Sequence, residues 1–207
     1  MENTEKTEIN IPDDLKECIA FHGHLCPGLV YGYLVAKAAI NLLETHRSRD
    51  EEVVAICEND SCAVDALQVM LGTTAGKGNL RIENYGKNAY TILNRSTRRA
   101  CRISRNEQYR YLGKNKEEFQ RLDESVSSGT ASETDRWRLK LLKSEDLLSK
   151  PLDDVFSVRE IEFVEPPYAP LARSQPCGRC GEMTMSTKMV AIDNRKQVCI
   201  PCSERAD

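Results

Sequence analysis

The sequence predicts an α+β fold: an antiparallel-rich sheet with packed helices, followed by a small Cys-rich module. Three observations predict it. Apolar segments of helical length, notably 27–46 and 62–71, are interspersed with short β-type runs at 53–57, 80–85, 89–94, 100–104 and 156–164. The middle runs are separated by turn-forming stretches, Tyr85-Gly86 and 96–98, which suit antiparallel neighbours. Two Cys-x-x-Cys pairs then close the chain beyond a stiff linker marked by Pro166, Pro167 and Pro170. Residues 1–11 read as a flexible arm, 12–168 as the core and 169–207 as a four-cysteine zinc finger.

Each element has a local cause. Pro12 and the acidic pair Asp13-Asp14 suit the first turn of a short helix over 13–20. Pro27 can open the next helix, where its missing N–H costs nothing. From Leu29 to Leu43 that helix is nearly all apolar and therefore mostly buried. Gly28, Gly32, Ala36 and Ala39 give it a small-residue face that lets another backbone come close. The run 53–57 is a buried strand. A second buried helix covers 62–71 and stops at Gly72. Two further helices are expected over 106–123 and 133–148, joined by the Ser/Gly/Thr-rich link 125–132.

Composition narrows the function classes. The chain has 207 residues, 40% hydrophobic and 29% charged, enough to bury a core. A net charge of -3 excludes a strongly basic nucleic-acid protein. No run of 18 apolar residues exists, so no membrane span is expected. The polar N-terminus lacks the apolar stretch of a secretory signal, and a cytoplasmic protein is expected. Nine cysteines, an odd number in such a chain, then point to reduced thiols for metal or reactivity rather than to a disulfide framework.

Cys177 and Cys180 are separated by 18 residues from Cys199 and Cys202. Two such pairs suit tetrahedral zinc, with all four positions taken by sulfur and none left for catalysis. The tail has too few large apolar groups to fold alone, so a structural zinc would supply the missing free energy. Arg179, Lys188, Arg195, Lys196 and Arg205 stand against Glu182, Asp193, Glu204 and Asp207. This near-neutral balance disfavours nucleic acid as a partner and favours a scaffold or dimer contact.

The segment 21–28, Phe-His-Gly-His-Leu-Cys-Pro-Gly, is the second metal signal. The residue before proline is pushed toward extended geometry, and alternate side chains of an extended chain share a face. His22, His24 and Cys26 are thus expected on one side, with Phe21 and Leu25 turned into the core. Cys26 caps the helix that follows, where the positive end favours thiolate. Cys62 repeats that placement at the start of its own helix, with Asp65 close by on a neighbouring face. Soft sulfur with imidazole makes zinc the default ion, other transition metals being possible. Cys18, Cys57 and Cys101 read as packing. Lys77, between two glycines in a loop without the Walker A spacing, reads equally as an anion contact or as part of a plain surface turn. Arg95, Arg98, Arg99, Arg102 and Arg105 form a basic cluster, read as solvated.

The 21–28 motif, followed by Cys62-x-x-Asp65-Ala-x-Gln68, Gly76-Lys77-Gly78-Asn79, Tyr85-Gly86-Lys87 and the two terminal Cys pairs, resembles the E-subunit family of formylmethanofuran dehydrogenase. The resemblance runs from about residue 12 to the end. It implies an α+β core with a treble-clef-like zinc finger, in homodimers whose fingers reach across to the partner, and possible membership of a larger enzyme complex. It also implies a core cleft with a metal held by His22, His24, Cys26 and Cys62 or a subset of these. Asp65 would orient a ligand, Lys77 would contact an anion, and His22 or His24 would serve as ligand or general base. The implied role is accessory or catalytic, in one-carbon chemistry of molybdenum or tungsten enzymes. The rival readings are a metal carrier or sensor without turnover, and a zinc-finger module that binds protein or nucleic acid.

Overall fold

The computed structural model describes residues 11–192 and 196–205. The expected arm at 1–11 lies outside them except for Ile11, as do Asp193, Arg195 and Asp207 of the tail. The chain divides into two compact units, one ending at Pro167 and one beginning at Tyr168.

The first unit is built around a five-stranded sheet. Its strands are β1 (Val53–Cys57), β2 (Leu80–Ile82), β3 (Ala89–Asn94), β4 (Arg99–Arg105) and β5 (Phe156–Ile161), in the order β2-β1-β3-β4-β5. Three of the four pairings are antiparallel. The exception is β1 with β2, which run parallel. A parallel pair needs a crossover, and here helix α3 (Ala63–Leu71) supplies it. Helix α1 (Asp13–His22) and helix α2 (Pro27–Leu42) join α3 in the main core with Val53, Ala55, Tyr90, Ile92, Cys101 and Ile103. The opposite face of the sheet carries Val54, Leu93 and Ala100 against Ile161 and Phe163.

Helices α4 (Lys116–Ser127) and α5 (Glu133–Ser149) form an antiparallel-type pair around Leu122, Leu139 and Leu142. Ser132 caps α5 through a reciprocal bond with Asp135. A short helix α6 (Leu152–Val155) leads into β5.

Some boundaries differ from expectation. α1 runs on to His22 rather than stopping at residue 20. α4 begins at Lys116 rather than at residue 106, because the segment 106–115 is irregular. The basic cluster is not simply solvated. Arg95 is only 6% exposed and pairs with Glu51 and Glu165, Arg98 pairs with Glu165, Arg99 with Glu160, and Arg102 with Glu58. Glutamates on neighbouring segments neutralise the excess that the local sequence displays.

The second unit contains the hairpin β6 (Ser174–Pro176) and β7 (Met183–Met185), the hairpin β8 (Met189–Ala191) and β9 (Gln197–Cys199), and the short helix α7 (Ile200–Ser203). Its buried centre is Cys177, Val198, Cys199 and Cys202. Among the described residues, no helix is long and apolar enough to cross a membrane.

Candidate metal centres

The core site forms where three helix ends meet. His22 is the last residue of α1. Gly23 follows at φ 93°, a left-handed conformation that glycine adopts without strain, and its N–H closes on the Ile19 carbonyl. This turn brings His24 back beside His22, their ring centroids 4.6 Å apart. Cys26 is extended (φ -148°, ψ 159°) and caps α2, its sulfur accepting the N–H of Leu29 at 3.4 Å. The three side chains therefore gather through a helix end and a glycine turn, not through the single extended strand expected. Leu25 turns into the core as expected, but Phe21 is exposed because it lies on the outer face of α1's last turn.

The donor atoms of His22, His24 and Cys26 lie within 4.8 Å of one another. His22 is oriented from behind, its Nδ1 lying 2.7 Å from Asp65 Oδ2. Its Nε2 faces Cys26 Sγ at 3.6 Å. Asp65 is itself held by Gln68, whose amide donates to Oδ1 at 3.2 Å. A carboxylate on one ring nitrogen with the other turned to a donor cluster is the outer-shell arrangement of metal-binding histidines. Cys62 borders the cluster. A Cβ placed on Gly28 would sit 3.5 Å from Cys62 Sγ and 3.9 Å from Cys26 Sγ, so the two sulfurs flank the same glycine.

Burial pushes the Cys26 thiol up; the Leu29 amide opposes this and the neighbouring Cys62 adds to it. The helix end alone therefore does not make Cys26 a thiolate, because its apolar surroundings outweigh the α2 N-terminus. A bound cation reverses that balance, since a coordinating thiol is deprotonated outright. His24 is shifted down by burial, then by His22 and by Lys140. Its ring lies 6.0 Å from that of Trp137 on α5. Nothing in the sequence had marked Trp137. Its separation from His24 by more than a hundred residues leaves no local pattern to read.

In the second unit, the sulfurs of Cys177, Cys180, Cys199 and Cys202 lie within 4.8 Å of one another. The N–H of Gly181 closes a turn on the Cys177 carbonyl, and the Cys199 N–H donates to Cys177 Sγ at 3.2 Å. The amides of Cys180 and Cys199, with that of Arg179, bring the Cys177 thiol down to about 5. Four sulfurs with amides aimed at them fit a closed structural metal.

The family match lies within the first unit, while the matches to individual proteins extend over most of the chain. The family model described as "FmdE, Molybdenum formylmethanofuran dehydrogenase operon" matches residues 21–157. The chain belongs to the FmdE family. A curated relative, a probable S-adenosyl-L-methionine-binding protein of Archaeoglobus fulgidus, is 28% identical over 190 residues, covering 88% of this chain and 50% of that protein. The chain thus spans about half the length of that relative. Among solved structures, a tungsten formylmethanofuran dehydrogenase FmdE-like protein of Syntrophus aciditrophicus matches with a TM-score of 0.56 at 21% identity, over 92% of this chain and 90% of the other. That likeness speaks for the fold.

Within this FmdE-family core, the structure brings His22, His24, Cys26, Cys62 and Asp65 to one place. It does not bring Lys77 there. Lys77 lies in the loop beyond the C-terminal end of α3, the end of that helix opposite Cys62. Its ammonium donates to the carbonyls of Ser48 and Arg49 at 3.2 and 3.4 Å. These bonds tie the loop to the segment at Ser48 and Arg49. Cys18, Cys57 and Cys101 are fully buried, and burial pushes their thiols up to about 11, 12 and 12, as packing residues require.

Proposed function

We propose that this FmdE-family protein carries a zinc or other transition-metal ion on His22, His24 and Cys26, with the Cys62 thiol beside them, and serves as an accessory or catalytic component in one-carbon chemistry of molybdenum or tungsten enzymes. The observation that carries the reading is the Asp65–His22 pair, which fixes one imidazole nitrogen toward a cysteine sulfur. Such an ion, when bound, would supply Lewis-acid polarisation or an activated water. His22 would hold its ligand nitrogen in place through Asp65. His24, backed by no carboxylate among the described residues, is the freer of the two to exchange a proton. Three donors from one segment leave coordination room that a four-cysteine site lacks. The terminal four-cysteine cluster is read as a structural zinc in a treble-clef-like finger, because a hairpin knuckle and the start of a short helix each present two cysteines. Homodimers with exchanged fingers are part of the same proposal.

Metal content with occupancy, on the wild type and on Cys26→Ser, tests it. Two ions per chain should fall to one in the variant while the fold is kept. Unchanged metal content would remove the core site from the account and leave the tail.

A further inference from the structure

Trp137, on α5, borders the core site at His24, and Lys140 stands three residues further along the same helix. Trp137 is the chain's single tryptophan and sits 48% exposed against the His24 ring. A large aromatic face thus stands half open beside a candidate ligand. Residues three apart on a helix lie on one side, so α5 presents Lys140 next to Trp137. Of the other cations of α5, Arg138 pairs with Glu118 and Lys143 with Asp123, while Arg136 makes no ion pair among the described residues but, one residue from Trp137, does not share its face. Lys150, just past the helix end, pairs with Asp146. Lys140 makes no ion pair among the described residues. The same side of the site thus offers a half-open indole face and an uncommitted cation.

We propose that the core site takes a small carboxylate carrying a flat apolar group, with its carboxylate beside Lys140 and its flat group on Trp137. This rests on the metal reading above and deepens it. The indole would recognise shape through stacking and the ammonium would recognise charge, so the two contributions are separable. Purely aliphatic molecules would gain little from the indole, and positively charged ones would be opposed by Lys140.

The test uses the full chain loaded with zinc, sodium benzoate as the flat carboxylate and sodium acetate as the plain one. Zinc per chain is measured first. Binding is then followed by calorimetry in the wild type, Lys140→Gln and Trp137→Leu, and by Trp137 fluorescence where the indole is present. Benzoate is expected to bind more tightly than acetate and to change the fluorescence. Lys140→Gln should weaken both acids about threefold. Trp137→Leu should weaken benzoate about fivefold and leave acetate unchanged. Two zincs per chain with no benzoate binding, or with equal affinities in all three proteins, would overturn the proposal alone. One zinc per chain in the wild type would remove the metal reading, and this proposal with it.

Discussion

Replacing Gly32 by alanine probes the joint on which the core site depends. Gly32 lies in the second turn of α2, facing the first residue of α3. An added Cβ would meet the Ala63 carbonyl oxygen at 2.1 Å, its Cα at 2.6 Å and its carbonyl carbon at 2.7 Å. All three are backbone atoms, so no side-chain rotation relieves the clash. Ordinary contact begins at 3.4 Å, and the helices must separate by about 1 Å or more to reach it. Such overpacking costs about 1–3 kcal/mol, and a backbone obstacle belongs at the upper end. For a unit of this size that is a Tm loss of roughly 5–10 °C. Ala63 adjoins Cys62, so the same displacement draws the Cys62 sulfur away from Cys26 and should lower metal retention in the core. Denaturant unfolding followed by Trp137 fluorescence reads the first unit alone, because the second contains no tryptophan. Gly76→Ala is the control, since a Cβ there meets nothing within 4 Å. If Gly32→Ala unfolds within about 0.5 kcal/mol of that control, the close approach of α2 and α3 is not what holds the site together.

Three further outcomes follow from the same contacts. Asp65→Asn keeps the shape but removes the carboxylate behind His22, and should weaken core metal affinity about 10–100-fold in chelator competition while the four-cysteine site keeps its ion. Cys199→Ser should cost one ion per chain by elemental analysis and leave the Trp137 unfolding midpoint in place. Glu52 is held down to about 2 by the Ser48 hydroxyl and then by the Asp50 amide, against an ordinary value of 4.5. A depressed carboxyl stabilises the fold above its unfolded value and loses that contribution as pH falls from about 4.5 toward 2. Glu52→Gln should therefore flatten the stability profile across that window; an unchanged slope would refute the assignment.

Much of the fold was legible because its signals are local. The apolar stretch of α2, the β1 run bounded by charges and the stop at Gly72 each sit within one element. The parallel pairing of β1 with β2 was not legible, since strand direction depends on how α3 carries the chain back. The irregular segment before α4 was misread because its polar residues fit a helical background equally well until Tyr111 stacks on Phe119. The site divides the same way. His22, His24 and Cys26 announce themselves by spacing, and Cys62 with Asp65 by position at a helix start. The reason they converge was misjudged: a helix end and the turn at Gly23 do what an extended strand was expected to do. Trp137 and Lys140 reach the site from α5 by tertiary packing alone, and no local pattern reports that.

The origin of the donor cluster in helix ends has a physical consequence. His22 belongs to α1, Cys26 caps α2 and Cys62 stands at the N-cap position of α3, so the positions of three donors are set by helix packing in the main core rather than by loops. Gly28 and Gly32 permit the approach of α3, and Asp65 reaches His22 from the first turn of α3. The Asp65–His22 pair, which fixes one donor, also holds α1 against α3. The site is thereby preformed to the extent that the core is folded, and little ordering entropy is left to be lost when an ion enters. The four-cysteine cluster stands at the other limit. Among the described residues its buried groups are only Val198, Cys177, Cys199 and Cys202, so there the metal must stabilise the fold instead of the fold presenting a place for the metal.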